Sequence, residues 1–446
     1  MALKALDIFK YLPKTNCKKC GCPTCLAFAM KLAQKQASLD QCPDVTTEAK
    51  SQLEGSAAPP IKLITIGTGE NKLEIGNETV MFRHEESFYH APGIGTIIPD
   101  NLDDKALNAA ISAVEKLQFV RVGAKIRSNV VAVINASGKA DQFTKAVAAV
   151  QKLEIPMVLI SKDAAHIDTA LESCKDKKPL IHAATADNWE KFAQVAKARQ
   201  CPLAVACNDL DTLAALTEKI KAAGVADIVL DLTGANVSAT LQALNAARRM
   251  ALKKGMRSLG YPCMAISTSQ DPVEEVADCV AYISKYAAIS LASLRTPETI
   301  LPLLTLRQNL YTDPRKPIQC EAKLYTVGAV TPASPLLITT NFSLTYYTVE
   351  GEVEAARVPA YIGVIDTDGT SVLTAFASDK LTSEKIAAFL KSDAVKGKMS
   401  HQKVIIPGYV SVMSGALEEE SGWKVLVGPR EASGISKYLK TVWKND

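Results

Sequence analysis

The middle of the chain, from about residue 93 to 312, alternates short apolar segments with amphipathic segments of helical period. Eight apolar segments have the length and residue types of buried strands, and several begin with proline, which is tolerated at the first position of a strand. They are Phe119–Gly123, Val130–Ile134, Pro156–Ile160, Pro179–Ala183, Pro202–Ala206, Asp227–Asp231, Pro262–Ile266 and Ala288–Ala292. The segments of helical period between them include Asp141–Lys152, Asp187–Lys197, Asp209–Ala223 and Pro272–Lys285. Eight strands in regular alternation with helices predict a (β/α)8 TIM barrel over residues 93–312.

The same alternation returns after residues 313–330, a stretch beginning Asp-Pro-Arg-Lys-Pro that we interpret as a linker. Residues 331–446 contain four further apolar segments with helical segments between them. These segments are Pro335–Thr339, Tyr361–Ile365, Lys403–Pro407 and Lys424–Val427. The pattern predicts a small doubly wound parallel sheet of the Rossmann type, which binds ligands beyond the carboxyl ends of its strands.

Two shorter regions precede the barrel. Residues 1–57 contain five cysteines and a short amphipathic N-terminal helix, and we interpret them as a cluster domain. Residues 58–92 follow a linker, Gly55–Pro60, and contain three short alternating segments, Lys62–Ile66, Lys72–Ile75 and Thr79–Phe82. These segments predict a small antiparallel meander.

Composition and charge exclude several classes of protein. A net charge of +4 over 446 residues gives no case for binding to nucleic acid or to a membrane surface. No apolar run approaches the roughly 20 residues of a membrane span, and the N-terminus does not have the pattern of a signal peptide. Six of the eleven cysteines are scattered after residue 150, which favours a reducing, cytoplasmic environment.

The cysteines near the N-terminus form the motif with the most specific spacing. Cys17, Cys20, Cys25 and Cys42 are spaced C-x2-C-x4-C-x16-C, and four thiolates suit a [4Fe-4S] cluster. We expect Thr24 to cap a helix that begins at Cys25, and we interpret the fifth cysteine, Cys22, as a non-ligand. A structural zinc site is the first alternative, although such sites more often have two C-x2-C pairs. A disulfide framework is the other alternative, and it is not expected in a long chain without a secretory signal.

The loops that follow the predicted barrel strands are polar, but they contain no evident acid–base pair or metal cluster. Asp231 is the best single candidate for a functional residue there, with a role as a helix cap as the alternative. We therefore expect the barrel to serve as a scaffold and docking surface.

Four loops at the carboxyl ends of the C-terminal strands are richer in candidate binding groups. They are Thr339–Tyr347, Asp366–Ser371, Pro407–Val410 and Gly428–Gly434. Glycines, hydroxyls and backbone donors concentrate in them, with few charges. This composition predicts a large, mostly neutral, amide-rich ligand, whereas ordinary turn and cap chemistry would account for any one loop alone.

Three of these motifs together resemble a known family. The Cys17–Cys42 spacing, the run from Ser421 to Gly434 and the run from Thr339 to Tyr347 look like the large subunit of the corrinoid iron-sulfur protein of the reductive acetyl-CoA pathway. The resemblance covers the whole chain, in the order of iron-sulfur domain, barrel and corrinoid domain. Cys22 is a departure from the pattern.

The resemblance implies a methyl carrier rather than a stand-alone enzyme. A cobamide is expected between the C-terminal domain and a smaller TIM-barrel subunit, with which the chain forms a heterodimer. Its cobalt, as Co(I), accepts a methyl group from methyltetrahydrofolate through a separate methyltransferase and donates it to acetyl-CoA synthase/CO dehydrogenase. The [4Fe-4S] cluster reduces accidentally formed Co(II) to Co(I), with electrons from a donor such as ferredoxin.

The resemblance also implies where the corrinoid binds. None of the five histidines lies in the D-x-H-x-x-G motif that supplies a cobalt ligand in many corrinoid proteins, and His401, the histidine of the C-terminal domain, precedes a strand. A base-off cobamide without a histidine ligand is therefore expected. Its candidate contacts are Thr339, Thr340, Asn341, Phe342, Ser343, Thr345, Tyr346, Gly369, Thr370, Ser371, Val372, Leu373, Thr374, Gly408, Ala432, Ser433 and Gly434.

Two other functions stay open from the sequence. One is an iron-sulfur electron carrier with a flavin in the C-terminal sheet, where Thr339–Asn341 could hold a phosphate. The other is a methyltransferase whose barrel binds the pterin itself, against which the missing acid–base pair argues.

Overall fold

The computed structural model describes residues 5–33, 37, 41–46, 59–85, 87–174, 176–312 and 317–443. The chain divides into two compact units. The first consists of residues 1–118 and 127–311, and the second of residues 119–126 and 312–446. Among the described residues, no helix has both the length and the apolar character needed to cross a membrane.

A closed barrel of eight parallel strands forms most of the first unit, as predicted. Its strands, in chain order, are β3 (Gly93–Pro99), β6 (Val130–Ile134), β7 (Met157–Ile160), β8 (Leu180–Ala184), β9 (Leu203–Ala206), β10 (Ile228–Asp231), β11 (Cys263–Ile266) and β12 (Ala287–Ala292). The helices of the barrel are α3 (Asp104–Glu115), α4 (Ala140–Val150), α5 (Ala164–Leu171), α6 (Trp189–Arg199), α7 (Leu210–Ala222), α8 (Val237–Lys253), α9 (Pro272–Ser284) and α10 (Pro297–Tyr311). Alternate strand residues pack inside the barrel and against the helices, as the period of two in a strand requires.

The first strand of the barrel is not the one predicted. Phe119–Gly123 lies instead in a two-stranded ribbon of β4 (Gln118–Arg121) and β5 (Ala124–Arg127), most of which clusters with the second unit. The true first strand, β3, contains Gly93 and Gly95, which weaken a strand signal. The barrel needs them, since a Cβ at Gly95 would lie 2.6 Å from Cδ2 of Leu291 and one at Gly93 would lie 2.6 Å from Cγ2 of Val130.

A short hairpin precedes the barrel and packs into its interior cluster. It consists of β1 (Ile64–Ile66) and β2 (Leu73–Ile75), which pair antiparallel. The third predicted segment of the meander, Thr79–Phe82, is not a strand. The two N-terminal helices are α1 (Ala5–Tyr11) and α2 (Cys25–Ala33), which pack together around Phe28. Residues 55–58 of the predicted linker lie outside the described residues.

The second unit contains a five-stranded sheet in the order β13–β15–β14–β16–β17. Its strands are β13 (Leu324–Val327), β14 (Leu336–Thr340), β15 (Ala360–Ile365), β16 (Lys403–Ile406) and β17 (Lys424–Val427). Its helices are α11 (Ser343–Ala356), α12 (Val372–Ala377), α13 (Ser383–Leu390), α14 (Ser414–Ser421) and α15 (Ile435–Thr441). The four predicted strands are parallel, whereas β13 pairs antiparallel with β15. Residues 313–330 are therefore not only a linker, because they contain this edge strand.

Helices cover both faces of this sheet. Leu336, Ile338 and Ile406 point into a cluster with α13 and α14, and Leu337 and Ile405 point into one with α11 and α15. The loops after β14, β15, β16 and β17 consequently meet at one edge of the sheet.

Candidate functional site

The start of α2 is fixed by two side chains of the cysteine segment. The hydroxyl of Thr24 accepts a hydrogen bond from the backbone N–H of Ala27 at 3.1 Å, as predicted for an N-cap. Asn16 accepts from the backbone N–H of Cys25 at 2.8 Å through Oδ1, and its own backbone N–H donates to Sγ of Cys25 at 3.4 Å. These bonds hold Cys25 at the first position of the helix and against the preceding loop.

Three of the predicted ligand cysteines lie within electrostatic range of the fourth, Cys42. Burial raises the pKa of the Cys42 thiol, and the neighbouring thiols of Cys20, Cys17 and Cys25 raise it further by like-charge repulsion. Four sulfur donors in one small region suit an iron-sulfur cluster chemically. In the described part of the chain, however, no three His, Cys, Asp or Glu side chains are close enough together to form a metal site. Cys22, Cys25 and Cys42 are all buried, so burial does not separate the predicted non-ligand from the ligands.

Asn341 connects two of the predicted loops of the second unit. Its Oδ1 accepts hydrogen bonds from the backbone N–H groups of Thr367 and Gly369 and from the Thr367 hydroxyl, at 2.9–3.0 Å. Its Nδ2 donates to Asp366 Oδ1 at 2.9 Å. The side chain is 3% exposed. These bonds make Asn341 a clamp between the loops rather than a free binding group.

The two threonines before Asn341 differ from it, because their hydroxyls have no partner. Thr339 and Thr340 are 1% and 0% exposed, and neither Oγ1 has a hydrogen-bond partner among the described residues. A pocket of about 110 Å³ opens beside Thr339. Three further predicted residues line it, namely Thr345, Val372 and Ala432. Its walls are mostly apolar and include Ile405, Pro407, Gly428, Pro429 and Ile435.

Several other predicted residues shape the loops instead of facing the pocket. A Cβ at Gly408 would lie 2.6 Å from the carbonyl oxygen of Gly428, so this glycine allows the loops after β16 and β17 to touch. The hydroxyl of Tyr346 donates to Glu350 Oε1 at 2.8 Å, and that of Thr370 donates to the carbonyl of Thr367. Ser343 is buried. Of the remaining predicted residues, Gly369 is buried. Three are half-buried, namely Phe342, Ser371 and Gly434, and three are exposed, namely Leu373, Thr374 and Ser433.

The barrel contains a hydrogen-bonded histidine–aspartate pair that sequence reasoning missed. Nε2 of His182 lies 2.7 Å from Oδ2 of Asp231, and their side chains are 12% and 7% exposed. Burial opposes ionisation of Asp231, but the bonds from His182 and Thr233 outweigh it and hold the pKa of this carboxyl below its usual value. Asp231 is not a helix cap, because Asn236 caps the following helix. The loops alone did not show this pair, because His182 lies within strand β8 and not in a loop. The sequence contained part of the information needed to predict this pair, since both residues lie near the carboxyl ends of their strands.

Family comparisons cover nearly the whole chain. Residues 63–439 match the family described as "CO dehydrogenase/acetyl-CoA synthase delta subunit", and residues 12–43 match the one described as "Putative Fe-S cluster". The second match contains all five N-terminal cysteines.

Two relatives with assigned names align over almost their full length. The chain is 45% identical to the corrinoid/iron-sulfur protein large subunit of Moorella thermoacetica, over 99% of each chain. It is 36% identical to the gamma subunit of the acetyl-CoA decarbonylase/synthase complex of Methanothermobacter thermautotrophicus, over 98% of this chain and 99% of that one. Among solved structures, dihydropteroate synthase from Thermus thermophilus covers 56% of this chain and 100% of its own, at 14% identity and a TM-score of 0.40, which is too low to support an argument.

Proposed function

The chain belongs to the family that contains the corrinoid/iron-sulfur protein large subunit and the acetyl-CoA decarbonylase/synthase gamma subunit, and we propose that it carries methyl groups on a corrinoid held by its second unit. When bound, a cobamide supplies a cobalt centre that accepts and donates a methyl group. The methyl group would come from methyltetrahydrofolate through a methyltransferase and pass to acetyl-CoA synthase/CO dehydrogenase. The smaller TIM-barrel subunit would complete the site as the partner in a heterodimer.

The observation that supports this proposal best is the buried hydroxyl of Thr339, which lies beside an apolar pocket and has no partner among the described residues. A buried hydroxyl without a partner costs about 1–3 kcal/mol, so a protein tolerates one readily where a ligand satisfies it. The proposal is also supported by the position of the pocket beside the carboxyl ends of parallel strands, where sheets of this kind bind ligands. Val372 and Ile435 would exclude water from the ligand, and Thr339 and Thr345 would supply hydrogen bonds to it.

We also propose that no histidine binds the cobalt from below. Both ring nitrogens of His401 are already engaged, since Nε2 lies 2.9 Å from the carbonyl of Ser334 and Nδ1 accepts from the backbone N–H of Lys403 at 3.2 Å. The cobamide would then be base-off, and its lower base would need a place of its own. The pocket beside Thr339 is apolar enough for such a base.

The cysteine segment would serve a separate task. We propose that Cys17, Cys20, Cys25 and Cys42 hold a [4Fe-4S] cluster that returns cobalt from Co(II) to Co(I), with one electron from a donor such as ferredoxin. The spacing of these four cysteines, and their position within the residues that match the Fe-S cluster family, support this ligand set.

The test is cofactor analysis of the chain purified anaerobically with its smaller subunit. We expect stoichiometric cobalt, a corrin absorption spectrum, and a Co(II) EPR signal without nitrogen splitting. A flavin spectrum without cobalt would instead support the iron-sulfur/flavin electron carrier. Nitrogen splitting that disappears in His401→Ala would contradict the base-off, histidine-free proposal.

Matched threonine variants test the proposed pocket directly. Thr339→Val and Thr340→Val remove one hydroxyl each and keep the shape of the side chain, so we expect lower corrinoid content after purification. Thr144→Val is the control, because Thr144 also has an unpartnered buried hydroxyl but lies in helix α4 of the barrel. Unchanged corrinoid content in both the Thr339 and the Thr340 variant would show that these hydroxyls do not face the ligand.

A further inference from the structure

The His182–Asp231 pair of the barrel has no part in the proposed methyl-carrier function. We propose that the carboxyl end of the barrel is a second ligand site, where Nδ1 of His182 accepts a hydrogen bond from a small N–H or O–H donor. The site is formed by elements of the first unit alone.

Asp231 fixes which nitrogen of His182 can accept. Its Oδ1 accepts from the backbone N–H and the hydroxyl of Thr233 at 3.0 and 2.6 Å, and its Oδ2 faces Nε2 of His182. A carboxylate only accepts hydrogen bonds, so the proton of the neutral imidazole lies on Nε2. Nδ1 is left with a free lone pair.

Within the part of the chain that the structure describes, that lone pair has no partner. Nδ1 of His182 is buried and finds no donor among the described residues. By contrast, Nδ1 of His166, on a neighbouring part of the barrel, lies 2.7 Å from Nδ2 of Asn135. An unsatisfied buried acceptor costs about 1–3 kcal/mol. The buried Nδ1 of His90 also has no partner among the described residues, but His90 lines a different cavity, with Glu78 and Arg248.

The surroundings of His182 suit a small ligand. In the strand register His182 lies beside Ile160, and Asp231 lies beside Ala206. The short side chain of Ala206, on the strand between β8 and β10, lets His182 reach Asp231. Ile160 and Ala206 also pack on the interior apolar cluster and form a floor. The imidazole is 12% exposed, so a ligand would approach it from the exposed side of the ring. Because Nδ1 itself is buried, binding must include a shift of the ring or of the loop that covers this atom.

The charge at this end of the barrel selects against anions. Besides Asp231, two buried aspartates lie there, Asp100 with a hydrogen bond from Ser137 and Asp278 with one from Ser267. Arg295 provides a positive charge at the end of β12. Glu275, which accepts from the backbone N–H of Ser293, is a fourth buried acidic group at this end. Four carboxyl groups against the guanidinium of Arg295 favour a ligand that is neutral or cationic, such as an amine, amide or amidine.

The test uses the full chain, purified with its cofactors and labelled with 15N-histidine. Only five histidines contribute signals, and His182→Gln identifies the one of interest. Methylammonium, acetamidinium and acetamide are titrated as probes, with acetate as the anionic control. We expect a saturable shift of the His182 Nδ1 resonance with at least one donor probe and none with acetate.

Two variants locate the effect. Asp231→Asn should weaken binding of the probe by at least about ten-fold, because it removes the carboxylate that holds the imidazole proton on Nε2 of His182. His166→Gln should leave binding unchanged. No saturable shift with any donor probe, or a protonated Nδ1 in the free protein, would overturn the proposal. If Asp231→Asn does not fold, the titration of the unmodified chain still decides.

Discussion

Asn341 connects two loops of the second unit through its side chain. Asn341→Ala would leave the backbone N–H groups of Thr367 and Gly369 without their acceptor. We expect a loss of about 2–4 kcal/mol in the stability of the second unit, since each buried group left unpaired costs about 1–3 kcal/mol. Hydrogen-exchange mass spectrometry of peptides from β14 and β15 measures this local effect.

Asn245→Ala is the matched control for that prediction. The amide of Asn245 donates to a single carbonyl, that of Leu241, within one helix. Its loss should cost less than about 1 kcal/mol. Equal protection in the Asn341 variant and the unmodified chain would refute the clamp.

A second prediction about individual residues concerns the five N-terminal cysteines. Cys42→Ala should lose or convert the cluster, because it removes one of four proposed thiolate ligands. Cys22→Ala should leave the iron and sulfide content and the EPR signal unchanged, although Cys22 is equally buried. Loss of the cluster in the Cys22 variant would show that the ligand set is wrong.

Strand β3 is required by the packing of the barrel, although its sequence has a weak preference for a strand. Gly95→Val would place new atoms against Cδ2 of Leu291 and the backbone oxygen of Val130, at 2.6 and 3.0 Å from the new Cβ. We expect the barrel to lose about 1–3 kcal/mol through overpacking, measured by chemical denaturation.

Gly415→Ala is the control at the same scale. It lies in helix α14, with no atom within 4 Å of the added Cβ, so it should stabilise the chain by about 0.5–1 kcal/mol. A Gly95 variant as stable as the unmodified chain would mean that the barrel adjusts at this strand.

At the scale of the whole molecule, the cluster and the corrinoid are proposed to have separate tasks. A chain lacking residues 1–57, combined with the proposed smaller subunit and reduced chemically to Co(I), should accept a methyl group from the proposed methyltransferase at a near-normal rate. It should fail to recover from Co(II) when a physiological donor is the only reductant. Recovery at the normal rate would mean that electrons reach cobalt by another route.

The sequence by itself determined the parts of this protein that depend on local periodicity and spacing. Seven of the eight barrel strands and four parallel strands of the second unit were predicted, because buried parallel strands are continuous apolar runs between helices. The N-cap at Thr24 and the start of α2 at Cys25 could also be predicted from the sequence, since capping depends on residues three positions apart.

Only the tertiary structure decided which segments become partners. The apolar residues of Phe119–Gly123 predicted a barrel strand. Strand pairing, however, depends on neighbours that are distant in sequence, and β3 is the first barrel strand despite its glycines. The same holds for His182 and Asp231, which lie 49 residues apart and meet only because the barrel closes with small Ala206 between them. Asn341 likewise became a clamp through bonds to residues 25–28 positions away, which no local pattern contains.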